Sequence, residues 1–390
     1  MPAVLLNNLN QICGIFSLSF NSSTLVLLGL KPSDIRAAEN TLMKMLPTPD
    51  NSKSLFSKRK TQVKCLYPTE KMYLTITNWD NQSMAHEFIF QAFSTVPEIQ
   101  HLIFIFFLLL YITIIFGNCS VLWVICTVHF LHTPMYFFLA CLSFLEICYT
   151  TVVVPQMLAS ISDFHRTIAL VNCGIQMFFF TTLGGTDCFM LAVMAYDRYV
   201  AICHPLRYTL IMTWTVCRWL VIGSLILSIA LCLQLTALIF SLPFCGYQPK
   251  INHFLCDVPP VLQVACADTH LHQTALYGVG IMVLTIPFLL ICISYVYIVV
   301  AILRIKSTSG RHQAFSTCSS HLTVVILQYG VCSLVYLRPK SSTSEDEDRK
   351  LALIYTFVTP LLNPLIYTLR NKDIKQALRK VMKKMIASQT

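Results

Sequence analysis

Met194-Ala-Tyr-Asp-Arg-Tyr-Val-Ala-Ile-Cys-His-Pro-Leu-Arg-Tyr208 is the stretch whose reading decides the fold. The apolar run 173–193 leads into it, and Asp197, Arg198, His204 and Arg207 stand together where that run ends. Charge at a bilayer centre is costly, so an acid beside a permanent cation at the end of an apolar helix belongs at a membrane interface, each side chain satisfying the other. Pro205 prevents the helix from continuing. On chemistry alone, an ordinary interfacial ion pair and a switch are equally good readings of these residues.

Outward from this point the chain repeats the same alternation of apolar run and polar boundary. It is 55% hydrophobic and only 12% charged, where soluble domains carry roughly 25% charged residues. Runs long enough to cross a hydrocarbon core are read at 101–126, 134–158, 173–196, 217–241, 275–303, 314–337 and 351–369. The fold class is therefore an all-α membrane protein, a bundle of seven transmembrane helices.

The net charge of +10 does not mark a nucleic-acid surface, because its placement follows the membrane. Arg370, Lys372, Lys375, Arg379, Lys380, Lys383 and Lys384 face a single acid, Asp373, in the tail, and Arg304, Lys306 and Arg311 fill one loop. Basic flanks mark the cytoplasmic side, which puts the C-terminus inside, the N-terminus outside and Glu345-Asp-Glu-Asp348 in an outer loop. Ile374, Leu378, Val381 and Met385 alternate with cations at helical spacing after the seventh span. Such a short amphipathic helix suits the anionic lipids of the inner leaflet.

Most of the 17 cysteines fall inside spans and read as small hydrophobes. Cys173, Cys245, Cys256 and Cys266 lie on the outer side, where disulfides are favoured over a zinc site that lacks a second histidine near His253. Spacing does not choose among the three possible pairings. His86-Glu87 lacks the second histidine of a metalloprotease, and no glycine-rich phosphate cradle occurs, so no enzyme is read here.

The opening stretch closely resembles the signature that ends the third span of odorant receptors, within the rhodopsin-like G-protein-coupled receptors. The resemblance runs from Gly117-Asn118 nearly to Lys384, through Pro134-Met-Tyr-Phe-Phe-Leu139, Ala314-Phe-Ser-Thr-Cys-Ser-Ser-His-Leu322 and Pro360-Leu-Leu-Asn-Pro-Leu-Ile-Tyr367. It departs at Leu225, where the family has Trp, at Gln313, usually Lys, and at Gln328, usually aromatic.

The resemblance implies disulfides Cys173 to Cys256 and Cys245 to Cys266. It implies a G-protein switch made by Asp197, Arg198, Tyr199, Tyr295, Asn363, Pro364 and Tyr367, with Pro364 freeing a backbone carbonyl as a hinge. Aligned on Arg198, the family's ligand face falls on Phe180, Thr181, Gly184 and Gly185, with Val279 and Val283 from the fifth span, Tyr329, Cys332 and Tyr336 from the sixth, and Thr356 from the seventh. None is charged. An amine receptor would carry Asp at Phe180 and an opsin Lys at Phe357.

Glu146 and Asp187 are acids at membrane depth and need a shared proton, a cation or polar neighbours such as Asn118, Ser143 and Asn363. In the family a sodium ion is expected there, between an Asp on the second span and a Glu on the third. Here the two lengths are exchanged. His253 with Cys256 and Asp257 also resembles a proposed metal motif, but a disulfide would consume the sulfur and no metal is expected.

Residues 1–71 differ from the rest and are expected to be disordered or an untranslated extension, Met72 being the alternative start. Residues 72–100 form the outer tail, with Asn81-Gln-Ser83 a glycosylation acceptor, 101–371 the receptor domain and 372–390 the inner helix and tail. The function implied is an odorant receptor of the plasma membrane, binding a small, mostly apolar ligand and activating a stimulatory olfactory-type G protein to raise cyclic AMP. A rhodopsin-like receptor for a lipid or other small apolar ligand is the alternative. A small transporter is a third, although the inverted repeats expected of one are not visible.

Overall fold

The structure is a computed structural model that describes residues 85–91, 93, 96–162, 166–246, 248–338, 345–370 and 374–379; the segment 1–71 and Asn81 lie outside them. Backbone polar groups in hydrocarbon must be satisfied within their own segment, and the apolar runs accordingly form helices: α1 Pro97–Thr127, α2 Pro134–Ile161, α3 Leu170–Cys203, α4 Trp214–Ile239, α5 His270–Leu303 and α6 Thr308–Tyr336. Each of these six holds an apolar stretch long enough to cross a membrane. The seventh helix, α7, covers 345–370 and opens on Glu345-Asp-Glu-Asp348. All seven run past the expected spans at one or both ends, because helices outlast the hydrocarbon core.

Local sequence sets these ends. Pro97 and Pro134 occupy first turns, where a missing N–H costs nothing. Thr213 and Ser307 cap α4 and α6, accepting from the amides of Val216 (3.4 Å) and Gly310 (3.3 Å). In the bundle, 78% of the apolar window of α2 and 67% of that of α3 are buried, against 17% for α1. The centre is therefore α2 and α3, while Phe106, Leu109 and Phe116 of α1 and Leu289, Ile293 and Val296 of α5 point outward as a lipid-facing surface. α3 and α4 approach closely at Gly185, where a Cβ would stand 2.6 Å from the Ser228 hydroxyl, itself donating to the Thr182 carbonyl (2.7 Å).

Two helices contain π segments, Ile281–Thr285 in α5 and Ile354–Val358 in α7, which re-phase the side chains that follow. Pro364 leaves the carbonyl of Pro360 without its helical donor, and Asn118 of α1 supplies one at 3.2 Å. Residues 374–379 form a further helical turn with Ile374 and Ala377 buried on the core and Lys375 exposed; Val381 and Met385 lie outside the described residues.

One element departs from the all-helical expectation. A three-stranded sheet of β1 Glu87–Phe90, β2 Thr167–Ala169 and β3 Lys250–Ile251 forms at the end of the bundle that carries the disulfides, in order β2-β1-β3, with β1 antiparallel to β2 and parallel to β3. Strands of two to four residues leave too short a pattern to read in advance. The sheet sews the segment before α1 onto two loops, with Phe88 edge-on to Phe244 at 5.2 Å.

Candidate functional site

Three layers stack along the bundle axis. At the disulfide end, Cys173 and Cys256 are bridged, as are Cys245 and Cys266, with Cα separations of 5.4 and 5.8 Å. The first bridge holds the loop over α3, where Gln176 accepts from the Cys256 amide (3.0 Å) and donates to the Val152 carbonyl (3.1 Å). Asp257 follows immediately and is buried. Its carboxylate accepts from the hydroxyls of Tyr336 (2.9 Å) and Tyr355 (2.9 Å) and from the Val258 amide (2.7 Å). Burial pushes this carboxyl up to about 6, and those hydrogen bonds restrain the shift. His253 is held neutral, its pKa lowered to about 3 by burial and by nearby Arg349, while its Nδ1 accepts from the Leu255 amide. Arg338 pairs with Asp348 (3.0 Å) and Glu347 (3.6 Å) at the same end.

Beneath this latch lies a cavity with about 640 Å³ of atom-free space, counting its mouth. Phe180, Thr181, Gly184, Gly185, Val279, Val283, Cys332 and Tyr336 of the expected face line it. Tyr329 and Thr356 do not. The Tyr329 ring lies against Phe288 and its hydroxyl donates to the Cys188 carbonyl at 2.7 Å, so it ties α6 to α3 below the cavity. Thr356 is fully buried in the π segment of α7, whose altered phase presents Tyr355 instead.

Tyr149, Cys188, Cys232, Leu235, Val258, Leu276, Gly280, Leu284, Gln328 and Tyr355 complete the wall. The sequence reading missed most of them because alignment on α3 carries no register for the other helices, while Cys188 of α3 lies one turn beyond Gly184 and Gly185. Two had a signal, since Tyr149 and Gln328 are polar groups inside apolar runs. Among the described residues no charged side chain lines the cavity.

The middle layer holds the acids. Asn363 donates to Glu146, and Asp187 lies within electrostatic reach of Glu146. Ser143 is buried nearby on α2. Asn118 Oδ1, Asp187 Oδ1 and Asn363 Oδ1 are buried without a hydrogen-bond partner. Every orphan in that set is an oxygen acceptor, the donor set of a hard cation. Among the described residues no group of three His, Cys, Asp or Glu is arranged around a metal.

At the far end, Asp197 and Arg198 interact electrostatically at the end of α3, and Asp197 has a further partner. Asp197 accepts from Tyr208 at 2.9 Å and feels Arg198 electrostatically, while Arg198 reaches toward Cys318 of α6. The backbone turn at Pro205 is what brings Tyr208 back under the helix end. His321 of α6 donates through Nε2 to the Leu191 carbonyl (3.2 Å), so its Nδ1 accepts from Tyr295 (2.8 Å). Tyr199 bonds His204 at 3.1 Å. Pro364 sits inside α7, against Gly117. The side chain of Tyr367 lies outside the described residues.

A family model described as olfactory receptor matches residues 107–385. Olfactory receptor 10Q1 of Homo sapiens is 66% identical over 308 residues, 79% of this chain and 97% of that protein. Olfactory receptor 10V1 of Homo sapiens is 54% identical over 305 residues, 78% of this chain and 98% of that protein. Olfactory receptor 10J5 of Mus musculus is 48% identical over 292 residues, 75% of this chain and 94% of that protein.

Proposed function

This chain belongs to the olfactory receptor family, a family of multi-pass, non-enzymatic receptors that bind small odorants and couple to G proteins, and on that premise we propose how it signals. A small, uncharged, volatile ligand occupies the cavity between the spans, and the receptor activates a stimulatory olfactory-type G protein that raises cyclic AMP. The observation that carries this reading is a wall without charge, set directly above a buried acid layer and an arginine-bearing helix end. The disulfide end faces outward at the plasma membrane, with Asn81 as a glycan acceptor, and the basic flanks face the cytoplasm and its lipids.

Activation is a population shift: ligand prefers the state in which the inner end of α6 swings away from α3. In the resting contacts, His321 and Tyr295 tie α6 and α5 to α3, and Arg198 reaches toward Cys318. Opening releases Arg198 to the G protein, with Tyr199, Tyr295 and Tyr367 supporting it and the Asn363-Pro364 hinge absorbing the bend. The test is a cyclic AMP assay on cells displaying the chain, over a panel of small volatile compounds. A concentration-dependent rise from uncharged members supports the reading, and silence of the whole panel overturns it.

Glu146, Asp187, Asn118 and Asn363 would hold sodium in the resting state, supplying charge balance to two carboxylates at membrane depth; the orphaned oxygens support that assignment. Raising sodium at constant ionic strength is then expected to shift agonist response to higher concentration, and Glu146→Gln to erase the shift. Exchanging the acids, Glu146→Asp with Asp187→Glu, should largely preserve it. A wild-type response indifferent to sodium would return the pair to a structural role.

A further inference from the structure

The wall of the cavity carries two polar groups with hydrogen-bonding capacity left over among the described residues. Gln328 is 6% exposed and Tyr149 5% exposed, and both line the space. The Tyr149 ring stacks on Phe180 at 5.0 Å, which fixes its direction, and its hydroxyl makes no hydrogen bond among the described residues. Among the described residues the Gln328 carboxamide meets the Cys188 thiol, a weak partner that leaves most of its donors and its acceptor unspent. Both groups border the cavity, where a polar atom of a ligand can meet them. The other two tyrosines of the wall, Tyr336 and Tyr355, are occupied by Asp257.

The neighbouring residue makes the arrangement rigid. Tyr329 donates to the Cys188 carbonyl at 2.7 Å, locking α6 to α3 at the level of Gln328, so the carboxamide is presented from a fixed backbone. We propose that Gln328, assisted by Tyr149, is the specificity-determining residue of this cavity, selecting uncharged ligands with one carbonyl or hydroxyl group over hydrocarbons of the same shape. The carboxamide donates to a carbonyl or accepts from a hydroxyl, and the Tyr149 hydroxyl offers a second polar contact on the same wall. The apolar part of the wall, including Leu276 and Val283, takes the carbon skeleton. Permanent cations and anions are disfavoured, because nothing charged in the wall would balance them.

This inference rests on the cavity being the ligand site, so its test does not pass through a G protein. The purified full-length chain in lipid nanodiscs is melted with hexanal, hexan-1-ol, hexan-2-one, benzaldehyde and benzyl alcohol, and with hexane, toluene and hexylamine as matched controls. Oxygenated members are expected to raise the melting temperature of wild type, with hydrocarbons and amine weaker by about tenfold in half-saturating concentration. The near-isosteric Gln328→Met should remove that preference, and Tyr149→Phe should reduce it. Equal stabilisation by hydrocarbons, an unchanged preference in Gln328→Met, or no stabilisation of wild type by any oxygenated member would overturn the inference. Stabilisation without a cyclic AMP response would instead leave it standing and remove the signalling reading.

Discussion

Replacing Cys173 or Cys256 with serine is expected to abolish delivery of the chain to the cell surface. The bridge closes a loop of 83 residues and fixes the segment that ends in the Asp257 latch and the Val258 roof of the cavity. Losing a native disulfide typically costs about 2–5 kcal/mol, a large part of a marginal stability. The second bridge spans 21 residues, and the chain-entropy argument makes it worth about 1 kcal/mol less. Cys245→Ser should therefore be the milder lesion. Surface staining of an epitope-tagged chain measures all three variants. Wild-type surface levels in Cys173→Ser, or reactive thiols at both Cys173 and Cys256 in the mature wild-type chain, would show the pairing to be dispensable.

Arg198→Ala is expected to abolish agonist-driven cyclic AMP while surface delivery stays near wild type. The carboxylate of Asp197 keeps its hydrogen bond from Tyr208, so removing Arg198 does not strand the acid. The anchors of α6 to α3 through His321 and Tyr329 also survive the substitution. What disappears is the permanent cation at the inner end of α3, the group offered to the G protein. Full signalling from Arg198→Ala at matched surface density would remove the switch.

The seven-helix fold was legible because hydrophobic run length is a strong, local signal, and Arg198 with Pro205 marked a helix end that the structure places at Cys203, two residues before the turn that Pro205 opens. The disulfides were legible only through resemblance, since four cysteines allow three pairings. The cavity was legible on α3, where Phe180, Thr181, Gly184 and Gly185 follow from one helical register. It was less so on α7, because the π segment at Ile354–Val358 shifts the phase by a residue and exchanges Thr356 for Tyr355. The Asp257 latch was invisible, as it joins a loop residue to two tyrosines 79 and 98 residues away. Asn118 meeting the carbonyl freed by Pro364 is the same kind of long-range contact, 242 residues apart, although the freed carbonyl itself follows from proline chemistry alone.

The central claim is that occupation of an uncharged cavity at one end drives Arg198 at the other. Its most direct test is nucleotide exchange on purified stimulatory olfactory-type G protein, catalysed by the reconstituted receptor with and without a compound shown to raise its melting temperature. The account predicts that the compound accelerates exchange severalfold for wild type and leaves Arg198→Ala at the basal rate. A compound that binds wild type yet leaves exchange unchanged, or accelerates it equally in Arg198→Ala, would contradict the account.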